Sequence, residues 1–233
     1  MKKLGSTHEN LDHKVYKTLK ALILGQKLSP GAKIHQEKLA DDLGVSRTPV
    51  VNALKKLEQE KLIIAVPRKG FYVRRFSPEE MIRIFELREV LEGLAARRAS
   101  ARITEAQLLK LQDFFKGFQV SDHAKDVERY AEEDRRFHNY LIEMGGDEIL
   151  SGILEMYNLI TSSYLVGFRG GLVRPPQETL SEHLAIISAI HRQDPEKAEQ
   201  AVRVHLRRSR EKLAKEIEKG ARKNQWEPRG PEE

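Results

Sequence analysis

The stretch QEKLADDLGVSRTPVVNALKKLEQE, residues 36–60, predicts two short helices joined by a tight turn. Gly44 follows the first apolar face at the point where a helix end favours a residue that tolerates positive φ. Ser46 can cap the second helix, whose apolar residues recur at helical spacing: Val50, Ala53, Leu54 and Leu57. This pattern is typical of a helix-turn-helix, in which the second helix lies in DNA.

Polar and basic side chains occupy the outward side at the start of the second helix. Side chains of these types donate hydrogen bonds to phosphates and base edges. The candidate DNA-binding residues are Ser46, Arg47, Thr48, Asn52 and Lys55. An ordinary helical hairpin with a solvated basic face is the alternative, and the residues that follow help to decide between the two.

Two short strands are predicted directly after these helices, LIIAV at 62–66 and FYV at 71–73, around the basic turn PRKG at 67–70. A strand pair in this place predicts the wing of a winged helix. Arg68 and Lys69 at its tip are then further candidates for contact with the DNA backbone or a minor groove. A plain helical hairpin does not predict these strands, so we favour the winged helix-turn-helix.

The composition limits the class of protein. The chain of 233 residues is long enough for two modest domains, and 39% of it is hydrophobic and 33% charged. We find no apolar run near the roughly 20 residues of a membrane helix and no secretory signal at the start of the sequence, so we expect a cytoplasmic protein. The absence of cysteine excludes disulfides, thiolate metal sites and a cysteine nucleophile.

The positive charge is concentrated towards the N-terminus. Residues 1–76 hold 16 Lys and Arg against 7 Asp and Glu, a balance of +9, whereas the rest of the chain has a balance of −3. A positively charged domain is suited to approach phosphates. A merely solvated basic surface would give the same balance, so the charge supports the DNA-binding interpretation without deciding it.

Helical periodicity continues after the wing, and no further strand signal follows it. Ser77 and Pro78 mark the first helix start. We predict six helices, at 78–101, 104–118, 125–144, 147–167, 177–192 and 195–219. The predicted fold class is therefore mainly α, with a winged helix-turn-helix domain over 1–76, an all-α six-helix bundle over 77–219 and a disordered tail over 220–233.

Four polar side chains interrupt the apolar stripes of these bundle helices. Asp134 and His138 lie four residues apart on the inward face of the third helix, and His183 and His205 lie in the stripes of the fifth and sixth. Taken singly, each histidine is more often a hydrogen-bonded core residue than a ligand. Together, one carboxylate and three imidazoles suit a divalent metal such as zinc or nickel, because the metal would satisfy all four buried groups.

Arg88 also falls within an apolar stripe, on the first bundle helix. An inward guanidinium could hold an organic acid by paired hydrogen bonds, which makes Arg88 a candidate effector-binding residue. The alternative is an internal salt bridge to a carboxylate on the same helix, such as Glu92.

The run 24–73 resembles the winged-helix domain of GntR-family transcription regulators, through the motifs GQKLSPGAKI, LADDLGVSRTPV, NALKKLE and GFYV. Arg47, Thr48 and Gly70 match positions that contact DNA in that family. The family usually has Arg after the Pro-Val pair, where this chain has Val51. The resemblance therefore implies DNA binding with an operator sequence that differs from typical ones.

The second half of the chain, 78–215, resembles the all-helical effector-binding and dimerisation domain of the FadR-type branch of that family. The matching segments are ELREVLEGLAARRA, DRRFHNYLIEMGG, SEHLAIISAI and AEQAVRVHL. Six helices instead of seven resemble the VanR-like subgroup. The metal ligands known in that branch fall on Asp134, His138, His183 and His205, and the resemblance implies that small carboxylates bind beside the metal.

These observations favour a homodimeric, metal-containing transcription repressor that binds a palindromic DNA operator and responds to a small carboxylate. We expect no enzymatic activity and assign no catalytic residue. The alternative is a metal-dependent hydrolase or lyase that carries a DNA-binding module, in which Glu182 beside His183 would be the base. A third hypothesis makes the metal purely structural, with no effector.

Overall fold

The structure, a computed structural model, describes residues 11–24, 27–118, 123–166 and 172–222. The chain forms two compact units, of which the first ends at Arg75 and the second begins at Phe76. Most of the predicted disordered tail, 223–233, lies outside the described residues. None of the helices in the described segments combines the length and the apolar character needed to cross a membrane.

The first unit contains three helices and a three-stranded sheet. Its elements in chain order are α1 (Leu11–Leu24), β1 (Lys33–Ile34), α2 (Gln36–Leu43), α3 (Arg47–Gln59), β2 (Ile63–Val66) and β3 (Gly70–Val73). The strands are antiparallel in the order β1-β3-β2. Leu19 of α1 packs in the same core as Leu54 and Leu57 of α3, and all three are fully buried. The predicted winged helix-turn-helix is confirmed.

Two of the turns with left-handed backbone in this unit follow α2 and form the wing tip. Gly44 ends α2 with φ +64°, as the sequence predicted. In the wing turn, Arg68 has φ +63° and Gly70 has φ +98°. Ser46 precedes α3 in extended backbone, but its side chain makes no capping hydrogen bond, so the predicted cap is wrong in its side-chain contact.

The described residues of the second unit form six helices: α4 (Pro78–Arg102), α5 (Glu105–Asp113), α6 (Ala124–Gly145), α7 (Glu148–Val166), α8 (Pro176–His191) and α9 (Pro195–Arg222). Ser77 caps α4, because its hydroxyl accepts from the Glu80 amide at 3.1 Å and its own amide donates to the Glu80 carboxylate at 2.8 Å. The long α4 packs against α6, α7, α8 and α9. The mainly α fold class with a six-helix second domain is confirmed.

The first half of α4 exposes Leu87 and Val90, whereas its second half packs closely on α6 at Ala95. A Cβ atom added at Gly145 would lie 1.8 Å from the Ala95 carbonyl oxygen. The two backbones therefore touch at this point, and only glycine leaves room for them. Ile142, Leu150 and Leu154 close a small apolar core around Ala95.

The second predicted bundle helix, 104–118, is five residues too long, because α5 ends at Asp113. Phe115 and Gly117 have φ of +61° and +72°, which a right-handed helix cannot contain. The turn directs Phe114 and Phe115 into the core, where they are buried. Burial of two aromatic rings outweighs one further helical turn at this place.

Candidate metal centre and DNA-binding surface

The four predicted metal ligands lie together inside the second unit. Asp134 and His138 come from α6, His183 from α8 and His205 from α9. One donor atom of each lies within 4.8 Å of the donor atoms of the other three. The three histidines are buried, and the Asp134 side chain is 23% exposed. The geometry is that of a compact four-ligand cluster on three helices.

The Nδ1 atoms of the three histidines are held by other side chains. His138 Nδ1 lies 2.5 Å from a Glu92 oxygen and His205 Nδ1 lies 2.8 Å from a Glu182 oxygen. His183 Nδ1 lies 2.9 Å from the hydroxyl of Tyr130. Outer partners of this kind fix the ring orientation of a metal-ligating histidine and leave Nε2 for the metal.

His183 Nε2 is the atom that most directly indicates a missing ligand. It is buried and makes no hydrogen bond to the described residues. It lies 3.2 Å from Asp134 Oδ1, but the two groups are not aligned as a hydrogen bond. A buried polar atom without a partner is unfavourable, and a divalent cation between the imidazole and the carboxylate would satisfy it. The residues present therefore fit a metal.

The protonation states in the cluster also suit a cation. Burial lowers the pKa of His205 to about 3, and burial also lowers the pKa of His183. Burial alone would raise the pKa of Asp134, but the adjacent His183 and the other two imidazoles hold it below its ordinary value. At neutral pH these two imidazoles are neutral and the carboxylate is ionised, which is the state that coordinates a metal.

Phe115 fixes the plane of the His183 ring. The two rings are stacked with centroids 4.6 Å apart and an angle of 3° between them. Phe115 reaches this position because the chain turns away from the helix after Asp113. The ring stack was not predicted from the sequence, since it depends on a turn that helical periodicity does not indicate.

Arg88 is buried and forms the internal salt bridge that was the alternative to effector binding. Its Nε donates to Glu92 Oε1 at 2.6 Å. The side chain also borders a cavity of about 40 Å³, together with Asp134, His138 and His205. The structure thus places Arg88 beside the candidate metal ligands while one of its nitrogens is already paired.

Residues that precede α8 also line the cavity. Leu172, Val173 and Arg174 line it and are buried. Arg174 donates to Glu182 from both terminal nitrogens and to Ser209 from Nε. Sequence reasoning missed Arg174, because it lies outside a helix and no periodic pattern shows where its side chain points.

Glu182 is not free to act as the base of the alternative enzyme hypothesis. Its carboxylate accepts from Arg174, from Arg208 at 2.7 Å and from His205 at 2.8 Å. Burial alone would raise the pKa of Glu182, but these hydrogen bonds lower it. A carboxylate with three donors and a low pKa is a weak proton acceptor, which favours a structural role for Glu182.

The predicted DNA-binding residues lie on the surface of the first unit. Those of the second helix and the wing tip are exposed, and Gly70 is half-buried; they are Ser46, Arg47, Thr48, Asn52, Lys55, Arg68, Lys69 and Gly70. Arg47, Lys69 and Gly70 border one groove, together with Lys33 and Lys38. A groove with four basic side chains between recognition helix and wing is suited to a phosphate backbone.

Two of these residues already have partners. Arg47 donates from Nε to Gln36 at 3.3 Å, and its Nη1 donates to Glu37 at the same distance. Asn52 donates from Nδ2 to Asp12 Oδ2 at 2.9 Å. Contacts between exposed charges are weak in water, so the Arg47 contacts do not prevent it from turning towards DNA.

A basic winged helix-turn-helix followed by a helical domain with an internal cluster of ligand-type side chains defines a DNA-binding regulator with a sensing domain. Comparison with known families agrees with this class. Residues 11–73 match the gntR family of bacterial regulatory proteins, and residues 83–208 match the FCD domain. The chain therefore belongs to the GntR family of transcriptional regulators and carries an FCD domain as its second unit.

Proteins that are similar in sequence to this chain are named as transcriptional regulators. It is 28% identical to the HTH-type transcriptional repressor RspR of Escherichia coli K12 over 84% of this chain and 86% of that one. It is 27% identical to the HTH-type transcriptional regulator YdhC of Bacillus subtilis, over 88% and 92% of the two chains. The solved structure of E. coli McbR/YncC has a TM-score of 0.68 at 20% identity, covers 90% of this chain and all of that one, and shows the same fold.

Proposed function

We propose that this GntR-family regulator is a homodimeric repressor whose operator affinity is set by a small organic acid bound beside a divalent metal. The observation that carries the proposal is the buried cluster of one carboxylate and three imidazoles in which His183 Nε2 has no hydrogen-bond partner among the described residues. The similar E. coli protein RspR is named a transcriptional repressor, which supports repression as the direction of regulation.

Asp134, His138, His183 and His205 would hold the metal, and zinc and nickel both suit this set of donors. When bound, the metal would supply positive charge and an open coordination position for an acid oxygen. Arg88 would hold the far side of the acid, since it borders the same cavity.

The cavity is too small for an organic acid as it stands. Its volume of about 40 Å³ is far below the roughly 300–1,000 Å³ of typical small-molecule sites. Acid binding therefore requires side chains that line the cavity to move, and we assign this movement to Leu172 and Val173. An acid can change operator affinity only if it favours one conformation over another, and displacement of these two side chains provides two such conformations.

A dimer is expected because recognition helices related by twofold symmetry read the half-sites of a palindrome, about one helical turn apart. Exposed aliphatic side chains offer a surface for it. Leu87 and Val90 of α4 are 44% and 48% exposed, and Ile149 and Ile153 of α7 are 76% and 37% exposed. Exposed aliphatic residues on two helices that pack together can form a protein–protein interface, and we assign these four residues to the contact with a second copy of the chain.

The test is elemental analysis of the purified full-length protein, followed by thermal unfolding with a panel of small carboxylates before and after chelation. We expect about one metal ion per chain and an acid that raises the melting temperature only in the metal-loaded protein. The same acid should change the affinity for a fragment of the regulated promoter. Metal without any effect of acids on DNA affinity would instead favour a purely structural metal.

Enzyme assays separate the proposal from the hydrolase or lyase alternative. Incubation of the metal-loaded protein with each acid that it binds should return the acid unchanged. Formation of a product from any of these acids would overturn the assignment of the site to sensing.

A further inference from the structure

Arg88, Glu92 and His138 form a continuous buried chain of polar contacts. Arg88 Nε donates to one oxygen of Glu92 at 2.6 Å, and the other oxygen lies 2.5 Å from His138 Nδ1. The side chains of the three residues are 8%, 0% and 4% exposed. One carboxylate therefore joins the candidate acid-binding arginine to a candidate metal ligand, with almost no access for water.

A second chain of the same composition serves as an internal comparison. Arg174 holds Glu182, and Glu182 holds His205 Nδ1 at 2.8 Å. All three guanidinium nitrogens of Arg174 donate within the fold, because Nε also reaches Ser209. An added ligand would therefore find each guanidinium nitrogen of Arg174 already engaged in the described structure.

Arg88 differs in this respect. Within the described part of the chain only its Nε donates a hydrogen bond, to Glu92, and the side chain lines the cavity beside Asp134 and His138. A guanidinium presents its donors in a planar fork that matches a carboxylate. Arg88 can thus bind an acid in the cavity while it keeps its contact with Glu92.

We propose that Glu92 transmits the occupancy of Arg88 to the metal site, so that a bound carboxylate and a bound metal tighten each other. This rests on the function proposed above. An acid that shares the charge of Arg88 leaves Glu92 less strongly attracted to the guanidinium. Glu92 then polarises the His138 ring more strongly, which makes the ring a better ligand.

The coupling is reciprocal and has a measurable size. If the acid lowers the Kd for metal by some factor, the metal lowers the Kd for the acid by the same factor. Couplings between sites are commonly about 5- to 150-fold, and we expect a factor of about five or more here. Glu92 acts as a positioning residue, since it contacts neither the acid nor the metal itself.

The experiment uses Co²⁺ as the metal, because its visible absorption reports coordination, and citrate, succinate and lactate as carboxylate probes. Co²⁺ is titrated into the chelated full-length protein with and without each acid, for the wild type, Glu92→Gln and Glu182→Gln. We expect both variants to bind Co²⁺ about 10- to 100-fold more weakly. The ratio of the Kd values for free Co²⁺ without and with acid should fall in Glu92→Gln, to the part that direct contact between acid and metal leaves, and stay at its wild-type value in Glu182→Gln.

A ratio that is unchanged in Glu92→Gln, or lost equally in both variants, would overturn the proposal. If one of the acids binds and shifts DNA affinity while the Kd ratio is the same in Glu92→Gln as in the wild type, the inference is wrong and the proposed function stands. If none of the acids binds, the proposed acid response fails on this panel, and the next comparison decides the role of Glu92 by itself.

That comparison needs no acid. Arg88→Gln keeps a hydrogen-bond donor for Glu92 but removes the positive charge, so it imitates a neutralised Arg88. We expect Co²⁺ to bind several-fold more tightly to Arg88→Gln than to the wild type. The gain should disappear when Glu92→Gln is added, because a direct effect of charge on the metal would persist in the double variant. Unchanged Co²⁺ affinity in Arg88→Gln would overturn the proposal even if the Glu92 variants do not fold.

Discussion

His183 is held from several sides within the candidate site. Phe115 stacks on its ring, Tyr130 holds its Nδ1, and its Nε2 faces Asp134 without a hydrogen bond. The ring is completely buried. A residue with one face packed, one nitrogen held and one nitrogen unsatisfied is arranged for coordination more than for packing.

Replacing His183 by Ala should therefore remove the metal. We expect the affinity for Zn²⁺ or Ni²⁺ to fall by more than the roughly 10- to 100-fold that follows loss of an outer partner. The measurement is metal content per chain after dialysis. His191→Ala is the control, since His191 is exposed at the end of the same helix. Equal metal content in the two variants would contradict the assignment of His183.

On the predicted DNA-binding surface of the protein, the residue chosen for replacement is Arg47. It is exposed at the start of α3, and among the described residues it donates to Gln36 and Glu37, both at 3.3 Å. Arg47→Ala should weaken operator binding and reduce the slope of log affinity against log salt by about one, as expected for one lost phosphate contact. Fluorescence anisotropy at several salt concentrations measures both. Metal content should not change.

Arg136→Ala provides the matched control for this DNA measurement. Arg136 is an exposed arginine on α6 of the second unit, paired with Glu133. Its loss changes the net charge by the same amount as the loss of Arg47. If both variants lose the same operator affinity, the effect belongs to net charge and not to a contact by Arg47.

At the scale of elements, the contact of α4 with α6 is the tightest constraint. Gly145→Ala places a methyl group on the Ala95 carbonyl and should destabilise the fold by about 1–3 kcal/mol. Gly152→Ala on α7 is the control, because a Cβ there meets nothing within 4 Å. Its expected effect is a gain of about 0.5–1 kcal/mol from helix propensity. Urea unfolding measures both, and equal stabilities would show that α4 and α6 can separate without cost.

Helical periodicity predicted the candidate site residues that lie on helices and missed those that lie between helices. Asp134, His138, His183 and His205 interrupt apolar stripes, so their inward direction follows from spacing. Arg174 and the turn at Phe115 depend on backbone outside the helices, where no repeat fixes the direction of a side chain. Glu92 was considered as a partner for Arg88, but its second contact with His138 joins two helices and has no signal in either one.

At the scale of the whole molecule, the proposed function requires two recognition helices to reach one operator. If the exposed face of Leu87, Val90, Ile149 and Ile153 is covered by a second copy, Val90→Glu should convert dimers to monomers. Analytical ultracentrifugation measures the mass in solution, and operator affinity should fall together with it. Leu109→Glu alters an aliphatic residue of α5 that is 60% exposed and should leave the dimer intact. A Val90→Glu variant that remains dimeric would place the interface elsewhere.

The position of Leu172 and Val173 against the cavity has a consequence in time. If the metabolite enters only after these two residues move, a faster supply of the metabolite shortens the response only until their movement becomes the slow step. Above that rate of supply, a further increase in the metabolite does not shorten the response. The delay between the appearance of the metabolite and the change in transcription would then be set by this movement in the protein. It would be the same at every promoter that the protein regulates.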